Sequence, residues 1–202
     1  MPNSNPYFEV ERLRDVRVLR LRSEDGTNRL TQVCVLALAD AIAELAGERS
    51  PLIITGNKKF FSAGADLSEI TALSGPAAYE FSLMGQKLMN AIENFPAPVY
   101  AAIFGYCMGG GLDLALACQF RIAAHNAIFG HRGAALGLMT GWGGTQRMPR
   151  LIGKAKALEI FVAAEKIHAA QALQIGLIDA IAVDPVTEAD RMINHARSIS
   201  SG

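Results

Sequence analysis

Apolar residues follow two patterns along this chain: short continuous runs, and longer segments in which they recur every three or four positions. The short runs predict strands, which we place at residues 16–21, 52–55, 99–103, 120–123, 127–129 and 180–183. The periodic segments predict helices, which we place at residues 31–45, 76–94, 112–117, 144–152, 154–164, 169–173 and 186–199. Because strands and helices alternate repeatedly, the pattern predicts an α/β domain with helices packed on sheets.

The composition indicates one domain, since the chain has 202 residues and 50% of them are hydrophobic. We therefore expect a single domain over residues 1–202. The 19 basic residues balance the 19 acidic residues, which argues against a nucleic-acid partner because such surfaces usually carry a basic face. A small anionic ligand remains compatible with this charge balance, since a few local lysines suffice to bind one.

The apolar segments and the cysteines favour a cytoplasmic protein. No run of 18 apolar residues occurs, and residues 1–6 are polar, so neither a membrane span nor a signal peptide is predicted. Cys34, Cys107 and Cys118 form no C-x-x-C pair, and each lies in an apolar stretch. We expect them to be small core residues rather than partners in disulfides or ligands of a metal.

Two glycine-containing turns follow short apolar strands, at residues 60–67 and 105–113. The second is not a P-loop, because no lysine follows its last glycine, and residues 141–146 lack the third glycine of a dinucleotide-binding turn. Gly110 and Gly111 would instead lie at the start of a helix, where backbone N–H groups are unpaired. These turns therefore either bind an oxyanion or only allow close packing between helix and strand.

Four segments resemble, in the expected order, the motifs of the crotonase or enoyl-CoA hydratase superfamily. Residues 55–67, which end in Phe-Ser-Ala-Gly-Ala-Asp-Leu, are similar to its first signature, and residues 105–115 are similar to its G-x-x-x-G-G-G-x-E-L-A turn. Residues 129–153 resemble its F-G…L-G…G-G-T-Q-R segment, and residues 169–178 resemble its A-x-x-A-x-x-x-G-L element.

The resemblance implies a crotonase-like spiral of ββα units, with two near-perpendicular sheets surrounded by helices and assembly into homotrimers or hexamers. It also implies acyl-CoA thioester substrates and no separate cofactor, since coenzyme A is part of the substrate. By position, the backbone N–H groups of Ala65 and Gly110 would form the oxyanion hole. The backbone around Ala63 would contact the adenine, and Asp66 and Leu67 continue the same coenzyme A-binding turn.

Three basic residues are further candidates for contacts with coenzyme A. Lys58 and Lys59 stand where the family often has a lysine near the phosphates, although an ordinary solvated turn also explains them. The family's usual N-R-P loop before the first helix is replaced by residues 23–30, which contain two acidic residues. Arg29 in this loop would supply the basic contact.

The two catalytic acids of the family are both altered. The first corresponds to Asp113, one methylene shorter than glutamate, which is either a base or an aspartate that only stabilises the helix start. The second corresponds to Gly133, which cannot transfer a proton. Related enzymes that make dihydroxynaphthoyl-CoA also have glycine there and are thought to use bound bicarbonate. Here His131 and Arg132 would bind such an anion, His131 would titrate itself, or both lie in a solvent-facing loop.

Three functions are compatible with these residues. The first is hydratase or isomerase chemistry with Asp113 as the remaining carboxylate, and the second is another acyl-CoA reaction such as hydrolysis, decarboxylation or ring closure. The third is a protein that binds acyl-CoA without catalysis. Family members usually continue into further C-terminal helices that help to close the acyl pocket, whereas this sequence ends at Gly202.

Overall fold

The computed structural model of the protein describes residues 5–200 and, for residues 199 and 200, the backbone alone. Its strands are β1 Phe8–Leu13, β2 Val16–Leu21, β3 Arg29–Leu30, β4 Leu52–Thr55, β5 Phe60–Ser62, β6 Gly64–Ala65, β7 Val99–Ile103, β8 Tyr106–Met108, β9 Phe120–Ala124, β10 Ile128–Gly130, β11 Ile167–His168 and β12 Ala180–Ala182. Its α-helices are α1 Gln32–Ala46, α2 Leu67–Thr71, α3 Gly75–Glu93, α4 Gly110–Ala117, α5 Gly144–Ile152, α6 Lys154–Ala163, α7 Ala169–Gln174 and α8 Pro185–Ser200. A short 3-10 helix covers Ala134–Leu136.

The strands form two main sheets and one small ribbon. The larger sheet has the order β1-β2-β4-β7-β9-β12, and the smaller one has the order β11-β10-β8-β5. All neighbours in the larger sheet are parallel except β1 and β2, and only β11 is antiparallel in the smaller sheet. The parallel ribbon β3-β6 links the segment before α1 to the first glycine turn. The α/β class predicted from the sequence is confirmed.

Consecutive strands enter the two main sheets in turn. In each of the pairs β4–β5, β7–β8 and β9–β10, the first strand joins the larger sheet and the second joins the smaller one. A helical segment follows each pair and returns the chain to the next strand of the larger sheet. This repeat matches the expected spiral of ββα units, and it brings the loops after β5, β8 and β10 to the same region.

Burial explains why these segments form these elements. Every residue of β4 is buried, as expected for a central parallel strand covered on both faces. Leu52 and Ile54 contribute to the main core, whereas Ile53 faces a second core closed by α8. Helix α1 begins at Thr31, whose hydroxyl accepts from the Cys34 N–H at 3.2 Å, and it buries its periodic apolar residues against the main core.

The sequence missed the shortest elements. Strands β3, β5, β6, β8 and β11 have only two or three residues, too few to show any period, and the five-residue α2 is too short for the same reason. Strand β1 was missed because it is a mostly exposed edge strand rich in charge. Helix α4 begins at Gly110, two residues before the predicted start, because Gly109 turns the chain with a φ of 51°.

Candidate active site

The two glycine turns meet at one point of the molecule. A methyl group placed on Gly64 would lie 3.0 Å from the Gly110 nitrogen, and one placed on Gly110 would lie 3.2 Å from the Ala65 nitrogen. The backbone amides of Ala65 and Gly110 are therefore neighbours, although 45 positions separate them in the sequence. Any side chain at either glycine would intrude between them.

Both amides are directed away from ordinary backbone pairing. In the β3–β6 ribbon the Asp66 N–H donates to the Leu30 carbonyl at 3.4 Å. Because N–H directions alternate along a strand, the Ala65 N–H points away from β3. Gly110 is the first residue of α4, so its N–H has no acceptor within the helix. Two donors next to each other at a helix start can hold a carbonyl oxygen that gains negative charge.

These donors lie on the wall of a cavity of about 590 Å³. Most of its wall is apolar, with polar groups only at a few places, as is usual for sites that bind small molecules. Residues from the two turns, α2, α3 and the segment between β10 and α5 line it: Ala63, Ala65, Leu67, Ile70, Leu73, Ala78, Phe81, Ser82, Met108, Gly109, Gly110, Asp113, His131, Arg132, Gly133, Ala135, Leu136, Leu138, Met139, Thr140, Gly141 and Trp142.

Asp113 lies one helical turn after Gly110 and points into the same cavity, with only 2% of its surface exposed. Its Oδ1 is 3.2 Å from His131 Nε2, and its Oδ2 accepts from the Thr140 hydroxyl at 2.5 Å. A methyl group on Gly144, the first residue of α5, would lie 2.2 Å from Oδ1. The carboxylate is thus held beside the start of a second helix, whose dipole favours negative charge.

His131 and Arg132 both line the cavity but differ in exposure. His131 is 5% exposed, and its ring packs edge-on against Phe161 with 5.3 Å between ring centroids. The alternative that His131 lies in a solvent-facing loop is therefore wrong, because the turn after β10 directs it inward towards Asp113. Arg132 is exposed at the rim.

Gly133 opens the 3-10 helix and leaves the cavity wall without a side chain. A methyl group there would lie 2.7 Å from the Leu138 carbonyl oxygen, so this backbone has no room for a carboxylate side chain. Among the described residues that line the cavity, Asp113 is the one carboxylate. Any chemistry that needs a second acid must take it from another group.

The residues predicted to bind coenzyme A divide into two groups. Ala63 and Leu67 line the cavity together with Ala65. Asp66 does not line it, and its carboxylate instead begins α2 by accepting from the N–H groups of Ser68 at 2.9 Å and Glu69 at 3.3 Å.

The three predicted basic contacts also lie outside the cavity wall and already have partners. Arg29 forms ion pairs with Asp66 at 3.3 Å and with Asp25 at 2.9 Å. Lys58 Nζ is 3.1 Å from Asp184 and 3.7 Å from the centre of the Phe104 ring. Lys59 Nζ lies 5.9 Å from the Phe60 ring centre. Contacts of these residues with coenzyme A stay a prediction.

The sequence did not identify Thr140, Trp142 and Gly144 as site residues. Trp142 is 3% exposed and donates from Nε1 to the Phe81 carbonyl at 3.2 Å, and a methyl on Gly110 would lie 2.5 Å from its ring. The only available signals were the Gly-Trp-Gly-Gly sequence around Trp142 and the glycine at 144. Nothing in the sequence marks Thr140, whose role depends on a contact across 27 positions.

Among residues 5–200, three further features bear on the function: the presence or absence of a metal site, that of a membrane-spanning helix, and the state of the cysteines. No group of three or more His, Cys, Asp or Glu side chains there has a geometry suited to a metal ion. Within the same range, no helix combines the length and apolar character needed to cross a membrane. Cys34, Cys107 and Cys118 are free and buried, which confirms the prediction that they are core residues.

Comparison with known proteins identifies what this chain is similar to. The sequence profile of the enoyl-CoA hydratase/isomerase family matches residues 11–201. A crotonyl-CoA hydratase of Syntrophomonas wolfei is 39% identical over 175 residues, which cover 85% of this chain and 67% of that protein. A probable enoyl-CoA hydratase of Bacillus subtilis is 49% identical over 142 residues, covering 69% of this chain and 54% of the relative.

Solved structures agree with these sequence relatives. The crystal structure of an enoyl-CoA hydratase from Thermoplasma volcanium superimposes with a TM-score of 0.91 at 30% identity, covering 97% of this chain and 79% of that chain. The chain thus spans about half to four fifths of the length of these similar proteins.

Proposed function

The chain belongs to the enoyl-CoA hydratase/isomerase family, and from this premise we propose that it binds an acyl-CoA thioester and adds water to the double bond of its enoyl group. The family membership confirms the crotonase resemblance read from the motifs, including the predicted fold. The observation that carries the proposal is the proximity of the Ala65 and Gly110 amides to the buried carboxylate of Asp113 in one cavity.

In this proposal the two amides bind the thioester carbonyl oxygen. Attack at the β-carbon moves electron density onto that oxygen, and the N–H groups of Ala65 and Gly110 stabilise the charge. The gain is large because the donors are already oriented and the surrounding wall is mainly apolar. The Trp142 ring, whose centroid lies 5.2 Å from that of Phe81, packs next to Gly110.

Asp113 is the base that orients and activates the water. It enters the cavity from the same helix as Gly110, so the distance between base and oxyanion is set by a single turn of α4. Thr140 and His131 hold its two oxygens, which compensates for a side chain one methylene shorter than glutamate. Tight positioning matters because a misplacement of about 1 Å can reduce a rate roughly a hundredfold.

A second candidate reaction is movement of the double bond along the acyl chain. The specific observation that favours it is the single carboxylate of the cavity wall among the described residues. A bond shift needs only one base, which removes a proton from the α-carbon and returns it to the γ-carbon, with the same enolate held by Ala65 and Gly110. We therefore propose that 3-enoyl-CoA isomerisation be assayed beside hydration.

The decisive test is crotonyl-CoA hydration, followed by loss of the ultraviolet absorbance of the enoyl thioester, in the wild type and in Asp113→Asn. We expect Asp113→Asn to lower kcat on the order of 10²–10⁴-fold. Asp40→Asn is the matched control, since Asp40 is exposed on α1. Wild-type protein that binds acetoacetyl-CoA but turns over neither enoyl substrate would establish a binding protein instead and overturn the proposal.

The remaining properties follow from the same family and are likewise proposals. Coenzyme A is part of the substrate, so no separate cofactor is needed. Lys58, Lys59 and Arg29 lie near the first turn, and contact with the coenzyme A phosphates would require Lys58 and Arg29 to exchange their present carboxylate partners. A homotrimer or hexamer in the cytoplasm is the expected state, which sedimentation measurements and fractionation test.

A further inference from the structure

Hydration requires two proton movements, one away from the water and one onto the α-carbon. In the cavity wall of the described residues only three side chains are acidic or basic, namely Asp113, His131 and Arg132. A guanidinium stays protonated throughout the accessible pH range, so Arg132 cannot exchange a proton during turnover. His131 is left as the side chain whose ring nitrogens can both give and accept a proton.

We propose that His131 is the second proton-transfer residue of this site, and that Asp113 and Thr140 hold it in place. This inference rests on the proposed hydratase function and deepens it. The three side chains form a continuous chain of contacts, from the Thr140 hydroxyl to Asp113 Oδ2 at 2.5 Å and from Asp113 Oδ1 to His131 Nε2 at 3.2 Å. All three line the cavity that contains the paired amides.

The surroundings of His131 suit a proton donor rather than an exposed surface group. Its ring is 5% exposed and lies edge-on to Phe161 of α6, which offers no hydrogen-bonding group. Among the described residues of the cavity wall, the other charged side chains are Asp113 from α4 and Arg132, which follows His131 in the chain and lies at the rim. Asp113 Oδ1 lies 3.2 Å from His131 Nε2, so the carboxylate and the ring are in direct contact inside the cavity.

The proton movements balance within this chain of contacts. Asp113 takes a proton from the water while the water oxygen bonds to the β-carbon. The π electrons of the double bond form the enolate, whose oxygen the Ala65 and Gly110 amides hold. His131 then gives the proton on Nε2, the ring nitrogen that faces Asp113, to the α-carbon. The enolate electrons form the new C–H bond, and the thioester carbonyl is restored.

The resting state returns in one further step. The protonated Asp113 passes its proton across the 3.2 Å contact to His131. Water has then been added across the double bond, and both side chains have their starting charge. No other reactant is consumed. A direct Asp–His contact therefore takes over what two separate carboxylates would otherwise do.

Thr140 acts as a positioning residue in this scheme. It touches Asp113 and not the reacting carbons, and its hydroxyl donates to the oxygen that His131 leaves free. Without the Thr140 hydroxyl, Asp113 Oδ2 would lose the hydrogen bond that it accepts in this chain of contacts, and the Asp113 side chain could rotate. The structure thus assigns a function to a residue that the sequence pattern leaves unmarked.

The test compares His131→Gln with His125→Gln, the same substitution at an exposed histidine after β9. For crotonyl-CoA hydration we expect kcat in His131→Gln to fall on the order of 10²–10⁴-fold with little change in KM, and His125→Gln to behave as wild type. Exchange of the α-protons of butyryl-CoA in D₂O, followed by NMR, should fall in parallel.

Variants of Thr140 keep the proposal testable if His131→Gln fails to fold. Thr140→Val should lower kcat about 10- to 100-fold without a matching rise in KM, and Thr140→Ser should restore it because the hydroxyl returns. Two results would overturn the proposal. One is a folded His131→Gln variant whose kcat for hydration stays within about threefold of that of His125→Gln, and the other is a Thr140→Ser variant as slow as Thr140→Val. Wild type without hydration would instead overturn the proposed function, and α-proton exchange would still report on His131.

Discussion

The arrangement of the two amides is tested most directly by Gly110→Ala. A methyl group at this position would lie 3.2 Å from the Ala65 nitrogen and 2.5 Å from a carbon of the Trp142 ring. It would therefore enter the space between the two donors and push against a buried aromatic ring. Losing one such donor costs about 10²–10³-fold in kcat, or roughly 3–4 kcal/mol of transition-state stabilisation.

Gly111→Ala is the matched control for the effect on stability. Gly111 is the next residue of α4 and does not line the cavity. A methyl group there would meet Ser62 at 2.7–2.9 Å, so both substitutions overpack the core at a cost of about 1–3 kcal/mol. The comparison therefore isolates the oxyanion position from general destabilisation.

The assay is crotonyl-CoA hydration per folded molecule, with the folded fraction taken from urea unfolding followed by circular dichroism. Trp142 is the single tryptophan of the chain and lines the cavity, so quenching of its fluorescence reports acyl-CoA binding. We expect Gly110→Ala to have on the order of 100-fold lower kcat/KM than Gly111→Ala. Equal activities of the two folded variants would refute the assignment of the Gly110 amide.

Two further predictions concern ionisation. Hydrogen bonds from the Ser68 hydroxyl and the Glu69 N–H, with Arg29 and the Ser68 N–H, lower the pKa of Asp66. The hydrogen bonds by which the Asp66 carboxylate caps α2 therefore stabilise the fold at pH values above the pKa of the unfolded state, which is about 4. This stabilisation is lost as the pH falls through the lowered pKa of Asp66 in the folded state. Urea unfolding should show Asp66→Ala to be less stable by about 1 kcal/mol at neutral pH, and the gap should close in acid; a constant gap would contradict this. Burial raises the pKa of the Cys34 and Cys118 thiols to about 12, and that of Cys107 well above its usual value. Ellman's reagent should therefore label these thiols only after unfolding, and rapid labelling of folded protein would show that a thiol is accessible.

Except for the edge strand β1, the strands of the larger sheet were predictable because their signal is local. A fully buried strand such as β4 must be apolar at every position, and a helix such as α1 must repeat its apolar residues with its own period. The burial of the three cysteines followed from their apolar neighbours in the same way. The glycine motifs also predicted which turns carry the amides, because a close approach of two backbones excludes side chains.

The same local signals could not predict most of the two- and three-residue strands, namely β3 and β6 of the ribbon and β5, β8 and β11 of the smaller sheet. A strand of two or three residues, such as β6, contains too few positions to show alternation. Its identity depends on pairing with β3, more than thirty positions earlier in the chain. The basic residues predicted to contact coenzyme A show the same limit of sequence-based prediction. Lys58 pairs with Asp184, and this partner is recognisable only in the folded structure.

The sequence by itself thus determined the α/β class, the family and the two turns, since each depends on residues adjacent in the chain. Only the tertiary structure decided which side chains contact the altered acid, because Asp113, His131 and Thr140 come from three separate segments. Periodicity reports which side of an element is buried, but it carries no information on which buried side chains touch. The contacts that hold Asp113 are short-range and directional, so they exist only once the packing of α4 against the loops after β10 and before α5 is complete.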